Sequence, residues 1–293
     1  INKRFNKLIV ENIFFRHIEL GDKSSFEFPK PFSYIGNSTL KFNKNVRSLV
    51  IPDLVTHIND KAFNGCYHLT EINIGKSVTH IGEGAFITCF SLESIIIPDS
   101  VKYIGKHAFA GCSKLTHVVI GNSVENIKDG TFNQCKNLES IIIGNSVEYI
   151  GDLAFSNCLK LTHVVIPDSV KSIGENAFNE CSKLTHVVIP DSVKSIGNKT
   201  FIGCKNLESI IIGNSVEYIG KCAFCHCLKL KKIVIPNQVK SISEETFSSC
   251  IDLESIIIGN SVEYIGDGAF CLCPKLRKII IPYSVKSIGF KTF

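Results

Sequence analysis

Apolar residues fall along this chain in a pattern that returns every 23 positions. In residues 92–114, LESIIIPDSVKYIGKHAFAGCSK, the apolar set is Leu92, Ile95, Ile97, Val101, Ile104, Phe109 and Cys112. The same columns recur, without insertion or deletion, from Val46 to Phe293. Each unit reads L-x-x-I-x-I-P/G-x-S-V-x-x-I-G-x-x-A/T-F-x-x-C. The opening L-x-x-I-x-I alternates, which predicts a short strand. Pro98 or Gly121 then ends the strand and turns the chain. SVKYIG predicts a second short extended piece, and AFAGC a tight helical turn on the opposite face. A fixed period in the twenties predicts a solenoid, with like strands stacked coil on coil into a parallel sheet. The fold class expected is an α/β repeat solenoid, right-handed, of about 12 coils.

The two ends of the pattern differ from its middle. Residues 23–45 lie in register one period before the next unit: Phe26 aligns with Leu49, Phe28 with Ile51, Pro29 with Pro52, Ile35 with Ile58, and Leu40 with Phe63. They read as a degenerate first coil, as terminal repeats commonly are. Residues 1–22 carry Phe5, Leu8, Ile9, Ile13 and Ile18 near helical spacing, with Gly21 and Asp22 to end the helix. This predicts a helix capping the apolar end of the solenoid. Full repeats occupy 46–293, the last one truncated. A chain that starts at Ile1, contains no methionine and stops inside a repeat reads as a segment of something longer.

Composition changes this picture only slightly. A net charge of +5 with 20% charged residues shows no dense basic face, so nucleic acid is not an expected partner. No apolar run reaches the roughly 18 residues of a membrane span. Ten of the 13 cysteines recur once per repeat in one register, from Cys66 to Cys273. Recurrence at one place in every coil predicts buried thiols packed as small hydrophobes, not a disulfide framework. Unpaired thiols lean towards an intracellular, reducing setting, with the cell surface as the alternative.

The order of the columns resembles the leucine-rich repeat L-x-x-L-x-L-x-x-N-x-L. More closely, "IPxSVxxIGxxAFxxC" resembles the BspA-type class of that family, over nearly the whole chain. Where many leucine-rich repeats have asparagine, this chain has Ser77, Ser100, Ser123, Ser146, Ser169, Ser192, Ser215, Ser261 and Ser284. A buried hydroxyl there is expected to bond to backbone of its own or a neighbouring coil. Residues 1–20 also resemble the C-terminal end of an F-box, through Lys3, Arg4, Phe5, Leu8, Asn12, Ile13, Phe14 and Phe15. That resemblance implies target recognition for an intracellular ubiquitin ligase. The BspA-type resemblance implies the rival role, an adhesin on a microbe or protist binding host or matrix proteins.

No catalytic constellation is present: no Walker-type loop, no GxSxG elbow, no HExxH. No enzyme activity and no cofactor are expected. His117, His163 and His186 share one strand register with Ser94, Ser140 and Ser209, but the coils beside them offer a metal only serine there, with Lys232 further on. The cluster Cys222, Cys225, His226 and Cys227 lacks the paired CxxC…CxxC of a strong zinc motif, so solvent-side thiols without a partner are expected and no metal. The outward strand position carries Ile96, Val119, Ile142, Val165, Val188, Ile211, Val234, Ile257 and Ile280 in nine consecutive coils. One reading is a surface for a protein partner, with His117, His163 and His186 beside it. The other is the preference of strands for β-branched residues, copied by duplication.

Overall fold

The computed structural model describes the backbone of residues 25–27 and the whole of 33–293. The capping helix expected over 1–22, and the F-box resemblance with it, lie outside the described residues. The described chain winds into a solenoid of parallel strands. A first ladder is built from segments such as Ser94–Ile97, His117–Ile120 and Ser140–Ile142, paired in parallel with a register shift of one period: Ser94 with His117, Ile96 with Val119. It runs from Ser25–Glu27, which pairs with Ser48–Val50, to Lys278–Ile280. A second ladder joins two-residue strands such as Tyr149–Ile150, Ser172–Ile173 and Ser195–Ile196.

Burial follows the columns of the sequence. Leu92, Val101, Ile104, Phe109 and Cys112 are fully enclosed, and Ile95 and Ile97 nearly so. Each coil lays its apolar residues on those of the coil before, so one core runs the length of the molecule. The phenylalanine column forms its spine, with adjacent rings stacked at centroid distances of 5.1 Å for Phe86–Phe109 and 5.6 Å for Phe247–Phe270. The last coil has nothing stacked on it among the described residues. Ile288 is 45% exposed there, where its counterpart Ile265 is fully buried.

The AFAGC segment departs from expectation. Among the described residues there is no helix at all, so the solenoid is all-β where α/β was predicted. Alternate residues of this segment bond in two different directions. The amides of Ala85, Ile87 and Cys89 donate three residues back, to Gly82, Gly84 and Phe86, while those of Phe86 and Thr88 donate to Ala108 and Ala110 of the next coil. The segment is thus a third inter-coil ladder. Two left-handed residues four positions apart break any helical run, Gly84 and Thr88 in this coil, His107 and Gly111 in the next. Most coils place a residue other than glycine at one or both positions, which costs roughly 1–2 kcal/mol each for a side chain with a Cβ.

Lys199, exposed and at φ 54°, shows what that strain implies. Gly84, Gly130 and Gly268 occupy its register with φ values of 55–60°. Lys199→Gly relieves the steric term and adds about 0.5–1 kcal/mol of unfolded-state entropy. The expected net is stabilisation by about 0.5–1 kcal/mol, read as a higher midpoint in urea. A lower midpoint contradicts this account of the turn.

The serine column is also placed differently. Ser77 and Ser146 are exposed and the others half-buried. Ser169 and Ser284 donate to the carbonyls of Val147 and Val262 at 2.7 Å, as expected of an enclosed hydroxyl, but Ser100 and Ser192 have no partner. The regular coil-to-coil bond comes from the residue one position earlier. Asp99 accepts from the amide of Asn122 at 2.7 Å, Asn122 from Asn145 at 3.0 Å, and Asp191 from Asn214 at 2.6 Å. An acceptor beside the turn satisfies an amide that no strand reaches.

Candidate functional site

The first ladder positions the candidate face. Its strands alternate strictly, so in Ser94–Ile97 the side chains of Ile95 and Ile97 enter the core and those of Ser94 and Ile96 leave it. Stacking in register turns each outward position into a row. One row is Ile96, Val119, Ile142, Val165, Val188, Ile211, Val234, Ile257 and Ile280. Val119 is half-covered; the others are exposed, Ile96 to 68%, Val165 to 74% and Ile280 to 81%. At about 4.8 Å per coil the row extends roughly 40 Å.

The second row on the same face is polar. His117, His163 and His186 lie in it, all exposed, and His163 and His186 face one another across adjacent coils. His117 and His163 each hold the preceding threonine hydroxyl through Nδ1, at 2.9 and 3.0 Å. Those threonines in turn donate to Glu93 and Glu139 carbonyls one coil back. The histidines are thereby oriented along the face. After the turn, charges of mixed sign pair between coils: Lys171 with Glu148 at 2.8 Å and Lys286 with Glu263 at 2.7 Å. Pairs this exposed are screened by water and serve register and solubility.

The cysteine column is chemically quiet. All thirteen cysteines are free. From Cys89 on, each column thiol reaches to the carbonyl of the phenylalanine in the preceding coil, Cys112 to Phe86 at 3.2 Å and Cys204 to Phe178 at 3.3 Å, while Cys66 reaches Leu40 in the same place at 3.1 Å. Burial penalises the thiolate, and pushes Cys66, Cys112 and Cys181 up to about 12 from an ordinary 9.0. Cys89, Cys135, Cys158, Cys204 and Cys227 are driven well above it by the same cause.

Cys222 and Cys225 stand apart from that column, and not as expected. They are buried, at 6% and 4% exposure, rather than on the solvent side, and they have a partner. The Cys222 thiol donates to the Glu245 carboxylate at 3.0 Å, and the Cys225 thiol to the Glu245 backbone carbonyl at 2.9 Å. Sequence reasoning missed Glu245, although the signal was there: it occupies the register of Cys222 one coil on. His226 does not join this group.

Parallel strands on a 23-residue period, a buried phenylalanine–cysteine spine and one long exposed aliphatic row define a leucine-rich-repeat solenoid, typically a non-enzymatic scaffold. Comparison with known families narrows this. The family described as BspA type leucine rich repeat region matches residues 7–139, 102–201 and 171–293, in six copies, and the chain belongs to it. Among solved structures, a leucine-rich repeat protein from Bacteroides ovatus is 26% identical, covering 89% of this chain and 87% of that one with a TM-score of 0.50. The leucine-rich repeat protein of T. pallidum is 31% identical over 63% of this chain and 84% of its own, with a TM-score of 0.53. The pneumococcal vaccine antigen PcpA shares the fold at 20% identity, TM-score 0.52, over 90% and 83%. No curated protein matches the chain. Among the described residues no helix is long and apolar enough to cross a membrane.

Proposed function

We propose that this chain is a protein-recognition scaffold that engages a protein partner through the outward face of its first ladder. The observation that carries the reading is the exposed row from Ile96 to Ile280, in which Ile142, Ile211 and Ile257 are each 63% exposed. Contiguous apolar surface of this length is uncommon on soluble proteins and marks interaction sites. The polar row beside it supplies hydrogen-bonding groups that set orientation, as the rim of an interface does. Duplication accounts for the repetition of the row but not for its solvation cost, which a bound partner removes.

The test replaces Val165, Val188 and Ile211 together with lysine. These side chains touch solvent, so the circular dichroism spectrum and urea midpoint should change little. The immobilised wild-type chain should retain specific protein partners from extracts of its source, identified by mass spectrometry, and the triple variant should lose them. Unchanged retention by the folded variant sinks the proposal.

The face serves equally an F-box ubiquitin-ligase adaptor or a surface adhesin. The thiols do not choose between them. Burial alone keeps the column cysteines unreactive, so a reducing compartment is not needed to keep them unpaired.

A further inference from the structure

We infer that Cys222, Cys225 and Glu245 form a binding site for a soft divalent cation, zinc being the natural occupant. The three ligand atoms, two sulfurs and a carboxylate oxygen, lie within 4.8 Å of one another. A tetrahedral site with zinc–sulfur bonds of about 2.3 Å needs ligand separations of about 3.8 Å. Each pair of ligand atoms therefore has to close by no more than about 1 Å. The backbone already presents the pair: the amide of Cys225 donates to the carbonyl of Cys222 at 3.1 Å, a turn that holds both sulfurs over the next coil. Glu245 is brought beneath them by the coil-to-coil amide bond of Cys222 to Glu244 at 3.0 Å.

Repeat copying does not explain Cys222, whose register holds no other cysteine, although that of Cys225 holds Cys271 two coils on. The core column is satisfied by Cys227, fully buried and bonded to the Phe201 carbonyl. The registers of Cys222 and Cys225 hold Lys199 and Ile202 one coil earlier. Among the described residues no other group offers three such ligands. The Cys222 thiol already points at the Glu245 carboxylate, while that of Cys225 turns to the Glu245 backbone carbonyl and must rotate towards the shared centre. A dication displaces both protons, and two thiolates with one carboxylate leave the site a single negative charge. Thiolates select zinc over magnesium and calcium. The exposed carboxylate of Glu245 opens the fourth position to water.

The whole chain, reduced and freed of metal with a chelator, is titrated with cobalt(II) as a spectroscopic probe. One cobalt per chain is expected, with thiolate charge-transfer absorption and tetrahedral visible bands that zinc abolishes on competition. Cys225→Ser and Glu245→Gln should each weaken binding by more than about tenfold. Cys271→Ser, a partly exposed thiol outside the group, should leave it unchanged. Circular dichroism checks that each variant folds. Absence of the charge-transfer band, or an undiminished band in the folded Cys222→Ser/Cys225→Ser chain, overturns the assignment. So does a reduced wild-type chain that binds no cobalt and instead closes a Cys222–Cys225 disulfide in air. Unchanged affinity in Glu245→Gln overturns the three-ligand site.

Discussion

Above pH 9 the protein is expected to unfold cooperatively, within about one to one and a half pH units. The cause lies in the cysteine column. An unfolded thiol ionises near its ordinary 9.0, whereas burial pushes Cys66, Cys112 and Cys181 up to about 12 and Cys89, Cys135, Cys158, Cys204, Cys227 and Cys250 in the same direction. The folded state therefore holds protons that the unfolded chain releases. Its full stability persists below pH 9 and falls as pH rises from there towards 12. Each thiol removes about 1.4 kcal/mol per pH unit across that window. Nine of them acting together remove on the order of 10 kcal/mol by pH 10, comparable to the whole stability of a typical domain. Circular dichroism from pH 7 to 11 measures this directly. Replacing Cys135 and Cys158 with alanine should make the fall in urea midpoint with pH shallower. A chain still folded at pH 11 refutes the account.

The second large effect is expected from the phenylalanine spine. Phe178 is fully buried and stacks on Phe155 at 5.2 Å and Phe201 at 5.4 Å. Phe178→Ala removes a ring from the middle of the stack and leaves a cavity that neighbouring coils, held by three ladders, cannot close. The expected cost is about 3–5 kcal/mol. In a solenoid each coil contacts only its neighbours, so the damage is local and should split the urea transition into two. The same change at Phe293, 61% exposed on the last coil, should cost less than about 1 kcal/mol. Equal losses at the two positions contradict the local character of the core.

How far the sequence discloses this molecule depends on which bond each residue makes. The alternation of Leu92 to Ile97 and the in-register columns carry the strands, the core and the exposed row, because burial acts on single side chains at a fixed period. The third ladder is hidden by a backbone property. Thr88, Leu153 and Glu180 adopt left-handed geometry that their side chains do not advertise, and only Gly84, Gly111 and their like hint at it. A short run of small residues then reads as a helical turn. The serines mislead for a related reason. The chain moves the inter-coil acceptor to Asp99 and Asn122, one position earlier, and leaves the Ser100 hydroxyl without a partner. Cys222 and Cys225 fail a local motif test because their third partner, Glu245, is near only after a full turn of the coil. In a solenoid the nearest neighbour of a residue is the one a period away.

The three ladders also decide how the molecule yields to tension. Their bonds all run from coil to coil, along the direction in which the solenoid grows. A pull on the two ends of the chain is carried by every ladder in series, and the last coil, which has a neighbour on one side alone among the described residues, is expected to detach first. Each coil that peels away frees 23 residues, about 75 Å of slack. Under tension the chain is therefore expected to lengthen in near-equal steps of one coil, a sawtooth that single-molecule pulling would record.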